Sequence, residues 1–434
     1  MIFERTNSTL GIMDDLQVAI HTYDGCSKGC PGCLVDTHFK NRRFSPILTK
    51  EQMSIIHSRV NEYYNWIQEN LNTKNEGYFG NNGYKVNHFS YTFRFGNHGE
   101  LPLESLIELS NTLDAQFKVF STAPTKDISK FYELSKPENN PSNSKFFLEV
   151  IYDPIVDSAT ELRDMILEMR KHNILGYPEV LITRRLLDKF SDPKKFVDEC
   201  VAPIGFIETQ MQFGRYSPSK TRNFNRKQIV PVDEEIEWLK GVAHWILQYK
   251  LNIHPIPIAE YAVTFLDEYK EYKALNSDGT LDLDYIEKNI PEEPFDIKKV
   301  KDQTRDIFLT SLYIDHNLDL YLWSESMGQH VLDNNFGFPK LGNIIEKSIQ
   351  EIVMDKNGVL EKMLHHNVTH LMKHKKCSGC RYKSFCASHA IPFFRKFQED
   401  DGKDCYGYLP VIREFQKDQK FLQNMVDGFK RLEF

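Results

Sequence analysis

Three cysteine thiols stand close together near the amino terminus, at Cys26, Cys30 and Cys33. Two glycines and a proline lie between them, so the segment is predicted to form a loop that wraps one compact metal centre. A structural zinc ion takes four protein ligands, whereas a four-iron cluster held by three thiolates keeps one iron open to an external ligand. An open iron is typical of a reaction centre, so the spacing favours a catalytic cluster. A zinc loop that borrows a distant fourth ligand is the alternative.

Four more cysteines form a second group near the carboxyl terminus. Four thiolates over so short a stretch make a closed metal site, and the spacing alone favours zinc over an iron–sulfur cluster. In a reducing compartment, close-spaced thiols indicate metal or redox sites rather than disulfides. The isolated Cys200 is expected to be a small buried hydrophobe. The second group consists of Cys377, Cys380, Cys386 and Cys405.

The first cysteine group follows directly on a predicted strand. Between residues 14 and 245, short apolar runs alternate with helical patterns and make about six βα units. This alternation predicts an α/β fold with a partial or full parallel barrel. Strands are predicted at Leu16–His21, His88–Arg94, Phe117–Ser121, Phe146–Tyr152, Val180–Thr183 and Gly205–Gln212, and helices at Lys50–Asn70, Leu103–Thr112, Ser158–His172 and, from an N-cap at Asp233, to Tyr249.

The pattern changes after a polar stretch at residues 269–294. A β-hairpin is predicted over residues 307–323, and a helix near 344–354 follows it. We therefore divide the chain into a core barrel of residues 1–245, a helical linker of 246–300 and a small α+β domain of 301–434.

Composition and charge argue against several classes of protein. The chain has 434 residues and a net charge of −7, which disfavours a mainly electrostatic nucleic-acid binder. The first residues lack the apolar core of a signal peptide, and no stretch approaches the roughly 18 apolar residues of a membrane span. A cytoplasmic location without membrane partners is expected.

The spacing of the first cysteine group, on the loop after the first strand of a βα domain, resembles the radical S-adenosylmethionine (SAM) superfamily. In that family the open iron binds the amino and carboxylate groups of SAM. Electron transfer from the cluster then releases a 5′-deoxyadenosyl radical, which removes a hydrogen atom from the substrate. The resemblance implies a partial parallel (β/α)6 barrel of radical SAM type. One departure is Gly32, where relatives usually have an aromatic residue.

The resemblance also implies contacts to SAM. Gly99 and Glu100 resemble the family's GGEP segment, which binds the SAM ammonium group, although an ordinary turn with a solvated glutamate is the alternative. The family's serine on the fourth strand is absent, so Ser121 and Thr122, at the end of the third strand, are candidates for the ribose contact, with turn capping as the alternative. Arg184 or Arg185, after the fifth strand, is a candidate partner of the SAM carboxylate, with a surface position as the alternative.

The carboxyl-terminal region resembles the SPASM domain, the auxiliary-cluster extension of many radical SAM enzymes. It keeps the order of that domain: a hairpin, a Leu-Gly-Asn-Ile segment, a helix and a C-x2-C-x5-C run. The residues that hold the inner auxiliary cluster are missing, because Asn317, Leu322 and Ala390 stand in their places. The four cysteines that remain match the ligands of the outer cluster. The resemblance therefore implies two [4Fe-4S] clusters, one that binds SAM and one auxiliary.

A cluster with four thiolate ligands has no open iron, so its expected role is electron transfer and the net reaction is an oxidation. Such a reaction needs a base near the barrel mouth. Glu208 and Glu149 are candidates, because a carboxylate inside a barrel strand is expected to have a functional or a structural role. Ion pairs with Arg215 or Lys145 are the alternative reason.

Three functions remain open from the sequence. The first is a maturase that abstracts hydrogen from a peptide or protein residue and modifies it oxidatively. The second is a dehydrogenase or cyclase of a small metabolite, such as an amino sugar or a nucleotide derivative. The third is a structural zinc protein. For the two enzymes, the family resemblance implies a ferredoxin or flavodoxin as electron donor.

Overall fold

Eight neighbouring strands run parallel in the described sheet of ten strands. The strands are β1 (Asp15–His21), β2 (Tyr23–Asp24), β3 (Ser45–Pro46), β4 (His88–Arg94), β5 (Phe117–Thr122), β6 (Lys145–Ile151), β7 (Leu175–Ile182), β8 (Thr209–Arg215), β9 (Ile253–Ile256), β10 (Ser311–Ile314), β11 (Asp319–Leu322) and β12 (Gly342–Asn343). Their order across the sheet is β12-β11-β10-β1-β4-β5-β6-β7-β8-β9. The two short strands β2 and β3 pair separately.

These elements come from a computed structural model of the chain. It describes residues 15–24, 45–46, 48–70, 86–94, 97–205, 207, 209–215, 226–228, 230–256, 258–259, 262, 309–322, 340–373, 414–415 and 417–430.

Helices connect successive parallel strands, as a chain of βα units requires. Within the described ranges, no helix combines the length and the apolar character that crossing a bilayer needs. The helices are α1 (Lys50–Asn70), α2 (Leu103–Thr112), α3 (Ser129–Ser135), α4 (Ala159–Lys171), α5 (Arg184–Lys189), α6 (Pro193–Phe196), α7 (Val232–Gln248), α8 (Ile349–Val353), α9 (Val359–Lys373) and α10 (Gln419–Lys430).

The predicted (β/α)6 core is confirmed by β1 and β4 to β8, which lie in chain order across the sheet. The described sheet is open, because its order begins at β12 and ends at β9. The helices α1 and α2 have the predicted bounds. The start of α7 was predicted wrongly, since Pro231 occupies the N-cap and Asp233 lies in the first turn.

Alternating side chains separate the two faces of the sheet. One face packs against the helices: Phe89 lies 5.2 Å from Tyr64 of α1 between ring centroids, and Phe120 lies 6.0 Å from Phe131 of α3. The other face, the inner face, carries polar side chains that are also buried. It includes Ser90, Thr92, Ser121, Glu149 and Glu179.

The predicted carboxyl-terminal hairpin is confirmed by β10 and β11. The Asp315 carboxylate accepts hydrogen bonds from the backbone N–H groups of Asn317 (2.8 Å) and Asp319 (2.9 Å), which fixes the turn. Because β10 pairs in parallel with β1, the hairpin extends the core sheet. One described sheet therefore contains strands from both sides of the domain boundaries expected at residues 245 and 301. The domain boundaries themselves stay a prediction.

The last described helix returns to the other end of the core. The Lys240 ammonium of α7 lies 3.7 Å from a Glu414 oxygen and 3.4 Å from an Asp418 oxygen. The same ammonium lies 5.4 Å from the ring centroid of Phe421 in α10. Residues beyond 301 therefore contact both ends of the core, β1 through the hairpin and α7 through α10.

Lys118 is a buried cation on the helical face of β5. Its side chain is 1% exposed, and its ammonium donates to the Ser110 carbonyl (2.7 Å), the Ser110 hydroxyl (3.1 Å) and the Asp114 carboxylate (2.9 Å). Burial lowers the pKa of Lys118, and the hydrogen bond and charge of Asp114 oppose that change. The three bonds use all three ammonium donors, so the cation remains satisfied.

We predict that Lys118→Ala lowers the free energy of unfolding by roughly 2–3 kcal/mol, because it removes the ammonium donor of the Ser110 carbonyl and the cation that balances Asp114. The Asp114 carboxylate keeps the hydrogen bonds from the Ser142 and Ser144 hydroxyls. Urea unfolding followed by circular dichroism measures the change. The matched control is Lys171→Ala, whose side chain is 69% exposed in a surface ion pair; it should change stability by less than about 0.5 kcal/mol. Equal losses in the two variants would contradict the role of Lys118.

Candidate functional site

The parallel strands all end at one edge of the sheet, and the loops that begin there carry the candidate site residues. Ligand sites in parallel α/β folds lie at this carboxyl edge, because loops from several strands meet there. Gly99 and Glu100 follow β4, Ser121 is near the end of β5, and Arg184 follows β7. The fold thus brings residues that are far apart in the chain to a common edge.

The described residues on either side of the first cysteine group form a small ribbon. Tyr23 pairs with Pro46 and Asp24 pairs with Ser45, so β2 and β3 lie side by side. Among the residues that the structure describes, no group of three or more His, Cys, Asp or Glu side chains could hold a metal ion. The seven predicted ligands lie outside the described residues: Cys26, Cys30, Cys33, Cys377, Cys380, Cys386 and Cys405.

A short 3-10 turn, His98–Glu100, carries the two residues predicted to bind the SAM ammonium. The Glu100 carboxylate accepts a hydrogen bond from the Asn97 amide at 3.0 Å. The Gly99 carbonyl accepts one from the Lys130 ammonium at 3.1 Å. A Cβ atom on Gly99 would lie 2.9 Å from the Thr122 hydroxyl, so this turn packs directly on the end of β5.

Ser121 and Glu149 form a buried pair on the inner face. They lie opposite each other in the β5–β6 register, and the Ser121 hydroxyl donates to Glu149 Oε2 at 2.7 Å. The His98 ring, which is also buried, lies with Nδ1 2.9 Å from the Ser121 carbonyl oxygen. The serine hydroxyl is therefore oriented within the sheet, and turn capping does not describe its place.

One alternative explanation of Glu149, an ion pair with Lys145, is not what the structure shows. The Cα atom of Lys145 lies four residues earlier on the same strand, about 13 Å from that of Glu149, and the Lys145 ammonium packs 5.7 Å from the centroid of the Phe117 ring. Glu149 itself is 0% exposed. The other candidate base, Glu208, and the side chain of Arg215, the second predicted partner of either glutamate, lie outside the described residues.

Arg184 and Arg185 begin α5, behind an N-cap at Thr183. The Arg184 guanidinium makes a two-bond ion pair with Glu234, at 2.5 and 2.7 Å. Hydrogen bonding to Arg184 lowers the pKa of Glu234. The backbone N–H of Arg185 donates to the Gln228 side chain at 3.1 Å. Arg184 is thus engaged with a carboxylate of α7, while Arg185 is held at the same edge by its backbone.

Sequence reasoning missed three polar residues at the carboxyl edge or elsewhere on the inner face of the sheet. Asn97 was passed over within the segment before Gly99. Glu179 is buried on the inner face of β7, one residue before the predicted start of that strand. His254 lies on β9, opposite Gln210 of β8, and burial lowers its pKa to about 4, so its imidazole is neutral at physiological pH. The alternation of side chains along a strand would have indicated Glu179 and His254 if the prediction had included β9 and the first part of β7.

The described residues at this edge fit a ligand that bears ammonium and hydroxyl groups. A carboxylate offers about four acceptor positions, and Glu100 and Glu149 place two carboxylates near this edge, one bonded by the Asn97 amide and the other by the Ser121 hydroxyl. The Ser121 oxygen can accept a hydrogen bond while it donates its proton to Glu149. Carboxylate and hydroxyl acceptors are the groups that an amino acid portion and a ribose would require.

Comparison with known proteins places this fold among solved enzyme structures. A histidine-tagged form of anSMEcpe with bound AdoMet matches with a TM-score of 0.58 at 16% identity, over 95% of this chain and 96% of that one. Native anSMEcpe with bound AdoMet and Cp18Cys peptide matches with a TM-score of 0.58 at 15% identity, over 96% and 99%. The structure with Kp18Cys peptide matches with the same TM-score and identity, over 95% and 99%.

These similarities show the fold of this chain, which is an α/β architecture with a parallel sheet. The structural match covers nearly the full length of both proteins. No family model matches the sequence, and no curated protein matches it.

The contact between Gly99 and Thr122 predicts a coupled effect on stability. Gly99→Ala should lower the free energy of unfolding by about 1–3 kcal/mol, because the new Cβ overlaps the Thr122 hydroxyl. In a Thr122→Ala background the same substitution should cost at least about 0.5 kcal/mol less. Urea unfolding of the four proteins measures this double-mutant cycle. Additive losses would show that the turn does not pack on Thr122.

Proposed function

We propose that this protein is a radical SAM enzyme that abstracts a hydrogen atom from a peptide or protein residue and modifies that residue oxidatively. One observation carries the proposal. The strand that precedes the C-x3-C-x2-C segment in the chain, β1, ends at the same edge of the sheet as the strands that carry or precede Glu100, Ser121 and Glu149. The solved structures that share this fold contain AdoMet, which supports the same ligand here.

The residues of the first site have distinct proposed roles. Cys26, Cys30 and Cys33 would hold a [4Fe-4S] cluster, which, when bound, supplies the electron for reductive cleavage of SAM. Glu100 and the backbone of the Gly99 turn would bind the SAM ammonium group. The Ser121 oxygen would accept a hydrogen bond from a ribose hydroxyl.

Of the two arginines, we favour Arg185 for the SAM carboxylate, because Arg184 is already paired with Glu234. A guanidinium that must leave one carboxylate to bind another gains little from the exchange.

The second cysteine group would hold the auxiliary [4Fe-4S] cluster through Cys377, Cys380, Cys386 and Cys405. Four thiolates leave no iron open, so this cluster would accept an electron rather than bind substrate. The substrate loses two hydrogens in all. One would leave as a hydrogen atom, and Glu149 or Glu208 would take the other as a proton. The auxiliary cluster, when bound, would supply the acceptor for the remaining electron.

A peptide substrate is favoured over a small metabolite by the similar enzyme structures that hold peptides. The buried polar inner face of the sheet can orient a polar backbone through hydrogen bonds. A ferredoxin or flavodoxin in the cytoplasm would supply the electron that reduces the first cluster.

Anaerobic reconstitution tests the proposal. The wild-type chain should bind about eight irons, four per cluster, and should form 5′-deoxyadenosine from SAM and dithionite. Cys30→Ala should lose about half of the iron and all of the 5′-deoxyadenosine, because the open-iron cluster loses a ligand. The matched control is Cys200→Ala. Cys200 is a buried free thiol whose pKa burial raises to about 11, and it should change neither readout.

Two results would overturn the proposal. Zinc without iron or sulfide in the purified chain would favour a structural metal protein. Formation of 5′-deoxyadenosine that is unchanged in Cys30→Ala would show that the first cysteine group is not the reaction centre.

We predict that Glu149→Gln separates SAM cleavage from substrate oxidation. The glutamine oxygen still accepts the Ser121 hydrogen bond but is not a base, so product should fall by about 10²-fold or more while 5′-deoxyadenosine still forms. Mass spectrometry of peptides that lose two hydrogens measures the product. The control is Glu168→Gln, the same change at a surface ion pair. Undiminished product in Glu149→Gln would assign the base elsewhere.

A further inference from the structure

The geometry points to Asn97 as a positioning residue that orients the Glu100 carboxylate toward the ammonium group of SAM. Asn97 lies between the end of β5 and the turn that carries Glu100, and it contacts both. This inference rests on the proposed function, because it assigns Glu100 to the SAM ammonium.

The acceptor side of Asn97 is anchored on β5. Its Oδ1 accepts a hydrogen bond from the Thr122 hydroxyl at 3.0 Å and another from the backbone N–H of Ala123 at 3.1 Å. A backbone N–H can only donate, so the atom that faces Ala123 must be the amide oxygen. The orientation of the amide group therefore follows from its partners.

The donor side of Asn97 then faces the carboxylate. Its Nδ2 donates to Glu100 Oε1 at 3.0 Å. An ionised carboxylate only accepts hydrogen bonds, so this pairing agrees with the orientation that Ala123 imposes. One planar amide thus connects the backbone at the end of β5 to the Glu100 carboxylate and fixes the direction of that carboxylate.

Asparagine is the residue that this position requires. Aspartate would keep two acceptors for Thr122 and Ala123 but would place an oxygen against Glu100, where like charges repel. Alanine would remove both sides of the connection. Serine is too short to span the two partners.

The turn itself has further attachments, so removal of the Asn97 amide should leave the fold in place. The Lys130 ammonium donates to the Gly99 carbonyl, and His98 contacts the Ser121 carbonyl. The effect of a substitution should therefore fall on the carboxylate direction and not on the presence of the turn.

The test measures the dissociation constant of SAM by equilibrium dialysis against the anaerobically reconstituted full chain. Asn97→Asp should weaken SAM binding about tenfold or more at about pH 8. At about pH 6 the two facing carboxyls can share a proton, which restores a donor, so part of the affinity should return. Asn97→Ala should weaken binding to a similar extent without that recovery.

The matched control is Asn139→Asp. The Asn139 amide also donates to an oxygen, the Glu133 carbonyl, but it lies before β6 at the opposite edge of the sheet. SAM affinity in this variant should equal that of the wild type at both pH values. Iron content shows that each variant retains its clusters.

Wild-type SAM affinity in Asn97→Asp would overturn the inference and leave the proposed function intact. Equal weakening of SAM binding at both pH values in Asn97→Asp would also overturn it, because a general disturbance of the site would not respond to a shared proton.

If the Asn97 variants lose iron, the SAM affinity of Thr122→Val is the second test. This substitution removes one of the two hydrogen bonds that hold the Asn97 oxygen, and an unchanged SAM affinity would overturn the inference. A wild-type chain that neither binds SAM nor forms 5′-deoxyadenosine would instead refute the proposed function.

Discussion

Parallel pairing between neighbouring strands is the constraint on which the rest of the structure depends. Because β1 and β4 to β9 run in one direction, each connection returns by a helix and each strand brings its last residues to the same edge. Ser121 faces Glu149 because the register of β5 and β6 pairs these two positions. A slip of one residue would turn one strand's side chains to the opposite face and break that pair.

Because both faces of the sheet are buried, its polar side chains depend on one another for hydrogen bonds. The helical face is filled by aromatic and aliphatic side chains, and its one notable cation among the described residues, Lys118, is matched by three acceptors. The inner face instead holds carboxylates, a neutral histidine and hydroxyls, which lose water when they are buried and must recover hydrogen bonds from protein or ligand. The site is thus built where the sheet offers fixed polar groups in a dry surrounding.

The end of β5 organises the neighbouring loop. Its last two residues and Ala123 supply a carbonyl to His98 and donors to Asn97. These bonds place Glu100 relative to Ser121 and Glu149, although Glu100 belongs to the loop after a different strand. The SAM contacts that we propose therefore form one connected unit, and a change at Asn97 or Gly99 should be felt at Glu100.

Local pattern determined the order of the βα units and, to the residue, the bounds of α1, α2 and β4, because amphipathic spacing is a property of the local sequence. Strand β8 lies at Thr209–Arg215, later in the chain than the predicted Gly205–Gln212. The kinds of metal ligand that the cysteine spacing indicates stay a prediction. The start of β7 was missed, since Gly176 and Pro178 weaken a strand pattern. Tertiary packing requires glycine at this position, because a Cβ on Gly176 would overlap the backbone oxygen of Leu148 on the neighbouring strand β6. Strand β9 was not predicted because it contains Pro255, which is tolerated in the strand that ends the described sheet.

Only the tertiary structure decided which side chains meet. Asn97 and Thr122, and likewise Ser121 and Glu149, are more than twenty residues apart in the chain. Their hydrogen bonds form only when the strand register is set.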